Sequence, residues 1–236
     1  MLFVFDIDDT LYDQQAAFIR AVQSIDIAKE HVDFVDLYKL IKIYGDESFS
    51  QGFNQNSLQK MQVYRIKRAL KDYEIQISDK KALKFQEAFE SYQNEIELFD
   101  GITDIFDFLV DNKQQIGIIT NGTIVRQSRK IARLGLHNWI SDCRILISEE
   151  VGISKPQRAI FSFFENTLED ILTKDKIIYI GDNYENDMIG AKSVNWKTIW
   201  TNYRNYPIDE SNAADFIVQT PKELFQVIQL LLDKGD

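Results

Sequence analysis

Residues 2–13 join an apolar run, Leu-Phe-Val-Phe, to a set of carboxylates: Asp6, Asp8, Asp9 and Asp13 fall within eight positions. A short apolar run bounded by polar residues reads as a buried strand of a parallel sheet. Carboxylates at its end are costly to bury unless something positive lies among them. A bound cation, a charged ligand, or an exposed loop in which Asp9 or Thr10 caps the next helix would each resolve this. Other residues able to do chemistry also stand near apolar runs. Thr120, Asn121 and Gly122 follow Ile116-Gly117-Ile118-Ile119, and Asp182 follows Ile177-Ile178-Tyr179-Ile180-Gly181, with Asp187 five residues on. Lys155 lies in Ile153-Ser154-Lys155-Pro156.

The elements that must position these residues fall into two groups. After Asp13 a helical pattern runs to about Lys29, and Phe34, Leu37, Tyr38, Ile41 and Tyr44 recur at helical spacing, with Gly45 closing that second helix. Residues 46–56 are rich in Ser, Gln and Asn and read as a loop. A third helix is expected over 57–72, and a fourth begins after Ser78 as N-cap, with Ala82, Phe85, Phe89, Tyr92 and Ile96 on one stripe. Four helices without a strand form a small bundle. From Asp6 to Thr120 the chain runs 114 positions, whereas a βαβ unit needs only about 30 residues. The excess is an inserted domain, with Phe99-Asp100-Gly101 as the return hinge and a helix over 102–110 leading back.

Beyond it, strands and helices alternate as in a doubly wound sheet. Strands are expected over 115–120, 144–147, 176–180, 197–200 and 215–218, and helices over 124–134, 157–168 and 187–194, with a last helix from Pro221. The fold class is therefore α/β, a Rossmann-like parallel core over 1–13 and 99–236 carrying an all-α insert over 14–98. In such sheets ligands bind beyond the carboxyl ends of the strands, at the switch in strand order. Asp6, Asp8, Thr120 and Asp182 all lie there, so distant stretches converge on one crevice.

With 236 residues, 44% hydrophobic and 27% charged, the chain can bury a sizeable core. A net charge of −10 argues against nucleic acid or an anionic membrane as partner. Any phosphorylated ligand must then meet local cations. Cys143 is the single cysteine, which excludes an intrachain disulfide and a cysteine-based zinc cluster and fits a small core hydrophobe. No stretch approaches the roughly 18 apolar residues of a membrane span, and no leader pattern opens the chain, so the expected compartment is the cytoplasm. His31 and His137 read as ordinary surface or packing residues.

Asp6-x-Asp8-x-Thr10 resembles the first motif of the haloacid dehalogenase-like hydrolases, and three further pieces occur in that family's order. The run ending in Thr120-Asn121-Gly122 resembles the second motif, Lys155 before Pro156 the third, and Gly181-Asp182 with Asp187 the acidic fourth. The resemblance spans residues 3–187. It implies phosphoryl transfer with Asp6 as nucleophile, forming an aspartyl phosphate, and Asp8 as the acid that protonates the leaving alcohol and then activates water. Asp8 must be protonated for the first of these roles. Thr120 and the amides of Asn121 and Gly122 would bind phosphate together with Lys155. Asp6, the backbone carbonyl of Asp8, Asp182 and Asp187 would hold Mg2+. Arg126 and Arg158 are candidates for substrate contact, with surface roles the plainer expectation.

The insert matches in position the helical cap of one branch of the family, which implies a lid over the crevice and a small phosphorylated metabolite as substrate. Phe53 and Asn54, in the 45–56 loop, are the expected substrate-facing residues. The second and fourth motifs look most like the branch holding pyrimidine nucleotidases and sugar-phosphate phosphatases. A carbon–halogen hydrolase, a phosphosugar mutase and a binding module that has lost catalysis are the other readings. The presence of Asp8 favours phosphate over halide.

Overall fold

The computed structural model describes residues 1–27, 31–50, 58–168, 173–208 and 212–233. The chain divides into two compact units, Met1–Asp13 with Glu97–Asp236, and Gln14–Ile96.

In the first unit the described residues form a six-stranded parallel sheet. β1 (Leu2–Phe5), β2 (Gln115–Thr120), β3 (Ile145–Ile147), β4 (Ile177–Gly181), β5 (Lys197–Thr201) and β6 (Phe216–Val218) lie in the order β3-β2-β1-β4-β5-β6. β1 sits at the centre between β2 and β4, all four of its residues buried. Strand alternation sends Leu2 and Val4 to one face, where they join Ile160, Phe161, Phe164, Tyr179, Ala191 and Trp196 in one core. Phe5 packs edge-on against Phe106 at 5.2 Å. An apolar first strand is thus buried on both faces, as a parallel sheet requires.

The second unit contains α1 (Gln14–Ser24), α2 (Phe34–Ser50), α3 (Leu58–Lys71) and α4 (Asp79–Tyr92). Phe18, Leu37, Tyr38, Ile66, Leu70 and Phe85 are its buried centre. Asp33 caps α2 by accepting from the amides of Val35 and Asp36, and Ser78 caps α4 by accepting from Lys81 at 3.2 Å. The expectation that Gly45 ends the second helix is corrected: α2 continues through it to Ser50. A glycine inside a helix costs about 1 kcal/mol, and the buried stripe of Leu37, Tyr38 and Ile41 offsets that. Of the expected loop, 46–50 is helical and 51–57, with Phe53 and Asn54, lies outside the described residues.

The first unit returns through α5 (Ile102–Asp111) and continues with α6 (Ile124–Arg133), α7 (Ser148–Val151), α8 (Arg158–Asn166), α9 (Gly190–Lys192) and α10 (Pro221–Asp233). Gly135, expected as the end of α6, adopts φ 65° just beyond it. The helix expected to begin at Asp187 instead starts as a wide helical turn, Tyr184–Ile189, because the Asn183 side chain accepts from the Asn186 amide and opens the turn earlier. Cys143 is exposed, not a core residue, since it lies in the short helical turn Asp142–Arg144 ahead of β3, none of whose residues is buried. His31 and His137 are also exposed. Among the described residues no helix is long and apolar enough to cross a membrane.

Candidate active site

β1 stops at Phe5, but the ladder goes one step further, with the Asp6 amide donating to the Ile180 carbonyl at 2.9 Å. Asp6 is thereby set at the carboxyl edge of the sheet beside the end of β4. The chain then turns at once: the Leu11 amide donates to the Ile7 carbonyl at 3.0 Å, and Asp9 takes a left-handed φ of 59°. Arg204, from the loop after β5, fastens this turn by donating to Asp9 Oδ1 at 2.6 Å and Asp13 Oδ1 at 2.8 Å.

Lys155 is buried, and its ammonium donates to Asp6 Oδ1 at 2.7 Å, Asp187 Oδ1 at 2.6 Å and the Tyr179 hydroxyl at 2.8 Å. The Tyr179 hydroxyl in turn donates to the Ile119 carbonyl at 2.9 Å. Three donors meet three acceptors, so the ammonium is satisfied without water. Although burial opposes its charge, Asp187 and Asp6 hold the Lys155 ammonium well above the ordinary lysine range. Burial is also the main influence on Asp6, and with Asp187 and Asp8 it pushes that carboxyl up to about 6 against the pull of Lys155.

Asp182 stands directly after β4, its carbonyl accepting from the Trp200 indole at 2.8 Å. Asp187 is fully buried, and its Oδ2 accepts from the Asn183 amide at 3.0 Å. Asp6, Asp182 and Asp187 each offer an oxygen within 4.8 Å of the others. Three converging buried carboxylate oxygens are the donor chemistry of a hard divalent cation, so these residues fit magnesium. The side chain of Asp8 is not in this cluster.

Asp8 instead turns to α6. Its Oδ1 accepts from Lys130 at 2.6 Å and from Tyr12 at 2.5 Å, and its Oδ2 from Lys130 at 2.8 Å and Gln127 at 3.2 Å. Burial alone raises the Asp8 carboxyl, but Lys130, Tyr12 and Gln127 together take it below the ordinary range. Burial likewise lowers the Lys130 ammonium, against the pull of Asp8. The protonated Asp8 that the leaving-group role requires is therefore not the form these donors favour.

Thr120 is buried at the end of β2, and its Oγ1 has no hydrogen-bond partner among the described residues. The Asn121 side chain clamps Lys155: its Nδ2 donates to the Lys155 carbonyl and its Oδ1 accepts from the Lys155 amide, both at 2.9 Å. The Gly122 amide donates to Ser148 Oγ at 3.0 Å. Gly122 also has φ 152°, and a Cβ there would lie 2.7 Å from Gln127 Nε2, so the position demands glycine for conformation and close approach. Glu149 accepts from the Ile124 amide at 2.6 Å, placing a carboxylate on the amino end of α6. Arg126 is half-buried on α6, and Arg158 is exposed at the start of α8.

The sequence reading missed Tyr12, Gln127, Lys130, Tyr179 and Arg204. For α6 a signal was present. Stepping back four residues from Ile131 reaches Gln127, so the inward stripe of this helix turns polar where a core helix would stay apolar.

The haloacid dehalogenase-like hydrolase family model matches residues 3–201. A protein of Methanocaldococcus jannaschii named glyceraldehyde 3-phosphate phosphatase is 25% identical over 97% of this chain and 96% of its own. The pyrimidine 5'-nucleotidase YjjG of Escherichia coli is 33% identical over 48% of this chain and 49% of its own. The magnesium-bound crystal structure of the HAD-hydrolase YfnB of Bacillus subtilis superimposes with a TM-score of 0.73 at 24% identity, covering 96% of this chain and 97% of that one. That likeness carries the fold, and the match over residues 3–201 carries the family: this chain belongs to the haloacid dehalogenase-like hydrolases.

Proposed function

We propose that this hydrolase is a magnesium-dependent phosphatase of small phosphomonoesters that works through an aspartyl phosphate on Asp6. The observation supporting it most strongly is the meeting of Asp6, Lys155, Asp182 and Asp187 at one sheet edge, although they come from separate stretches of the chain. Asp6 attacks phosphorus through a carboxylate oxygen, and the ester oxygen departs with the bonding electron pair. Lys155 holds Asp6 in place and offsets negative charge on the transferring group. Thr120 Oγ1 is the hydroxyl for a phosphate oxygen, supported by its burial without a hydrogen-bond partner among the described residues. Asp8 is the acid for the departing oxygen only once it carries a proton, a form that Lys130, Tyr12 and Gln127 oppose, and as a carboxylate it later takes a proton from water. Asp6, Asp182, Asp187 and the carbonyl of Asp8 would hold magnesium, which would supply Lewis-acid screening of the phosphate charge. The Asn121 side chain orients Lys155, and the Gly122 amide, which donates to Ser148 Oγ, leaves the Asn121 amide as the backbone donor for phosphate.

The helical unit Gln14–Ile96, inserted in the chain between β1 and β2, corresponds in this reading to the family's cap domain, to which substrate selection is assigned. The names of the relatives point to sugar phosphates of few carbons or nucleotides. Phosphate release from nitrophenyl phosphate in magnesium, compared with chelator, tests the reaction class. Release that continues unchanged in chelator would sink the magnesium assignment. A screen of nucleotides and sugar phosphates then identifies the substrate.

A further inference from the structure

Four hydrogen bonds converge on the Asp8 carboxylate, one for each of its roughly four acceptor sites. The donors are unequal. Lys130 bridges both oxygens at 2.6 and 2.8 Å, and Tyr12 reaches Oδ1 at 2.5 Å. Gln127 is the distant one at 3.2 Å, and the same Nε2 already donates to the Asn121 carbonyl at 2.7 Å. Releasing Asp8 therefore leaves the Gln127 amide paired with the Asn121 carbonyl and gives up only the longest of the four contacts. A carboxylate with every acceptor site filled cannot take a proton, so one donor must yield before Asp8 acts on water.

We infer that Lys130 is the positioning residue of this site: with Tyr12 it anchors Oδ1 of Asp8, and Oδ2, let go by Gln127, is the oxygen that takes the proton from the hydrolytic water. The inference rests on the phosphatase reading and deepens it. In the step concerned a water O–H bond breaks and its proton passes to Asp8 Oδ2. The water oxygen bonds to phosphorus, and the bond from phosphorus to Asp6 breaks with its electron pair returning to the Asp6 carboxylate. Inorganic phosphate leaves. Lys130 touches neither water nor phosphorus, and acts by fixing which oxygen of Asp8 faces them.

The test compares the full-length chain with its Lys130→Met form on nitrophenyl phosphate in magnesium. Nitrophenolate departs without a proton, so formation of the phosphorylated enzyme does not need an acid, while its hydrolysis still needs the base. In Lys130→Met, kcat falls at least tenfold, within the usual range for general base catalysis. KM falls with it, kcat/KM stays within about threefold, and a burst of nitrophenolate matching the enzyme concentration precedes the slow phase. Tyr12→Phe shows the same split at smaller size and serves if Lys130→Met does not fold. Equal losses in kcat and kcat/KM without a burst would mark the contacts as merely structural and overturn the inference, as would unchanged kinetics. Absence of turnover by the unaltered chain would instead overturn the phosphatase reading and this inference with it.

Discussion

Gly181→Ala is the sharpest single perturbation of the acidic pocket. Gly181 closes β4, and a Cβ there would lie 2.3 Å from Asp187 Oδ2, 2.5 Å from its Cγ and 2.8 Å from its Cβ. Restoring ordinary van der Waals contact requires the Asp187 carboxylate to retreat by about 1 Å. It has no slack for this, since Oδ1 is held by Lys155 at 2.6 Å, Oδ2 by the Asn183 amide at 3.0 Å, and the residue is fully buried. Moving it also drags Lys155 from Asp6. A displacement of about 1 Å in a positioning group costs on the order of a hundredfold in rate, so kcat/KM for nitrophenyl phosphate should fall by about that factor. The magnesium concentration for half-maximal rate should rise with it. The assay is phosphate release across a magnesium titration, with a thermal melt recorded on the same protein. A folded Gly181→Ala enzyme with activity and magnesium dependence within about threefold of the unaltered chain would refute the reasoning.

Other perturbations separate structure from chemistry. Lys155→Met leaves Asp6 and Asp187 buried without their shared cation; loss of one partner from a buried pair costs about 3–5 kcal/mol, or roughly 10 °C in Tm for a domain of this size, measurable by calorimetry. Arg204→Met removes the cation that bridges the buried Asp9 carboxylate and Asp13, and should lower both stability and activity, because the turn it fastens carries Asp8. Gly45→Ala should stabilise by about 1 kcal/mol, since α2 runs through that position and the nearest atom to an added Cβ, Arg65 Cδ, is 4.0 Å away; a loss of stability in a denaturant titration would contradict the extended helix. Phe18→Ala removes a fully buried ring that meets Tyr38 at 5.1 Å and Phe85 at 5.5 Å, and should cost the helical unit about 3–5 kcal/mol.

Much of this was legible before any coordinates. The strand β2 runs over the residues its apolar pattern predicts, and Asp6 and Asp182 stand out because a carboxylate beside an apolar run needs a reason to be there, whereas Lys155 is marked only by its place before Pro156 in the motif it resembles. What escaped was the support around them. Lys130 and Gln127 sit three positions apart on a helix rich in cations, where the polar inward stripe is the only sign that this lysine is not one more solvated cation. Lys130 meets Asp8 across 122 positions, a distance that only the sheet closes. Tyr179 read as one more apolar strand residue, since a buried hydroxyl and a buried ring look alike in a pattern of hydrophobicity. Gly45 failed in the opposite direction: glycine is a common helix end, and packing outweighed that local preference.

The central claim is that Asp6 itself receives the phosphoryl group. The direct measurement is to quench the magnesium-loaded chain in acid during turnover of nitrophenyl phosphate, reduce with borohydride, and map peptides by mass. An acyl phosphate is reduced to an alcohol, so the account predicts homoserine in place of Asp6. Steady turnover with that reduction product at another carboxylate, or at none, would contradict it.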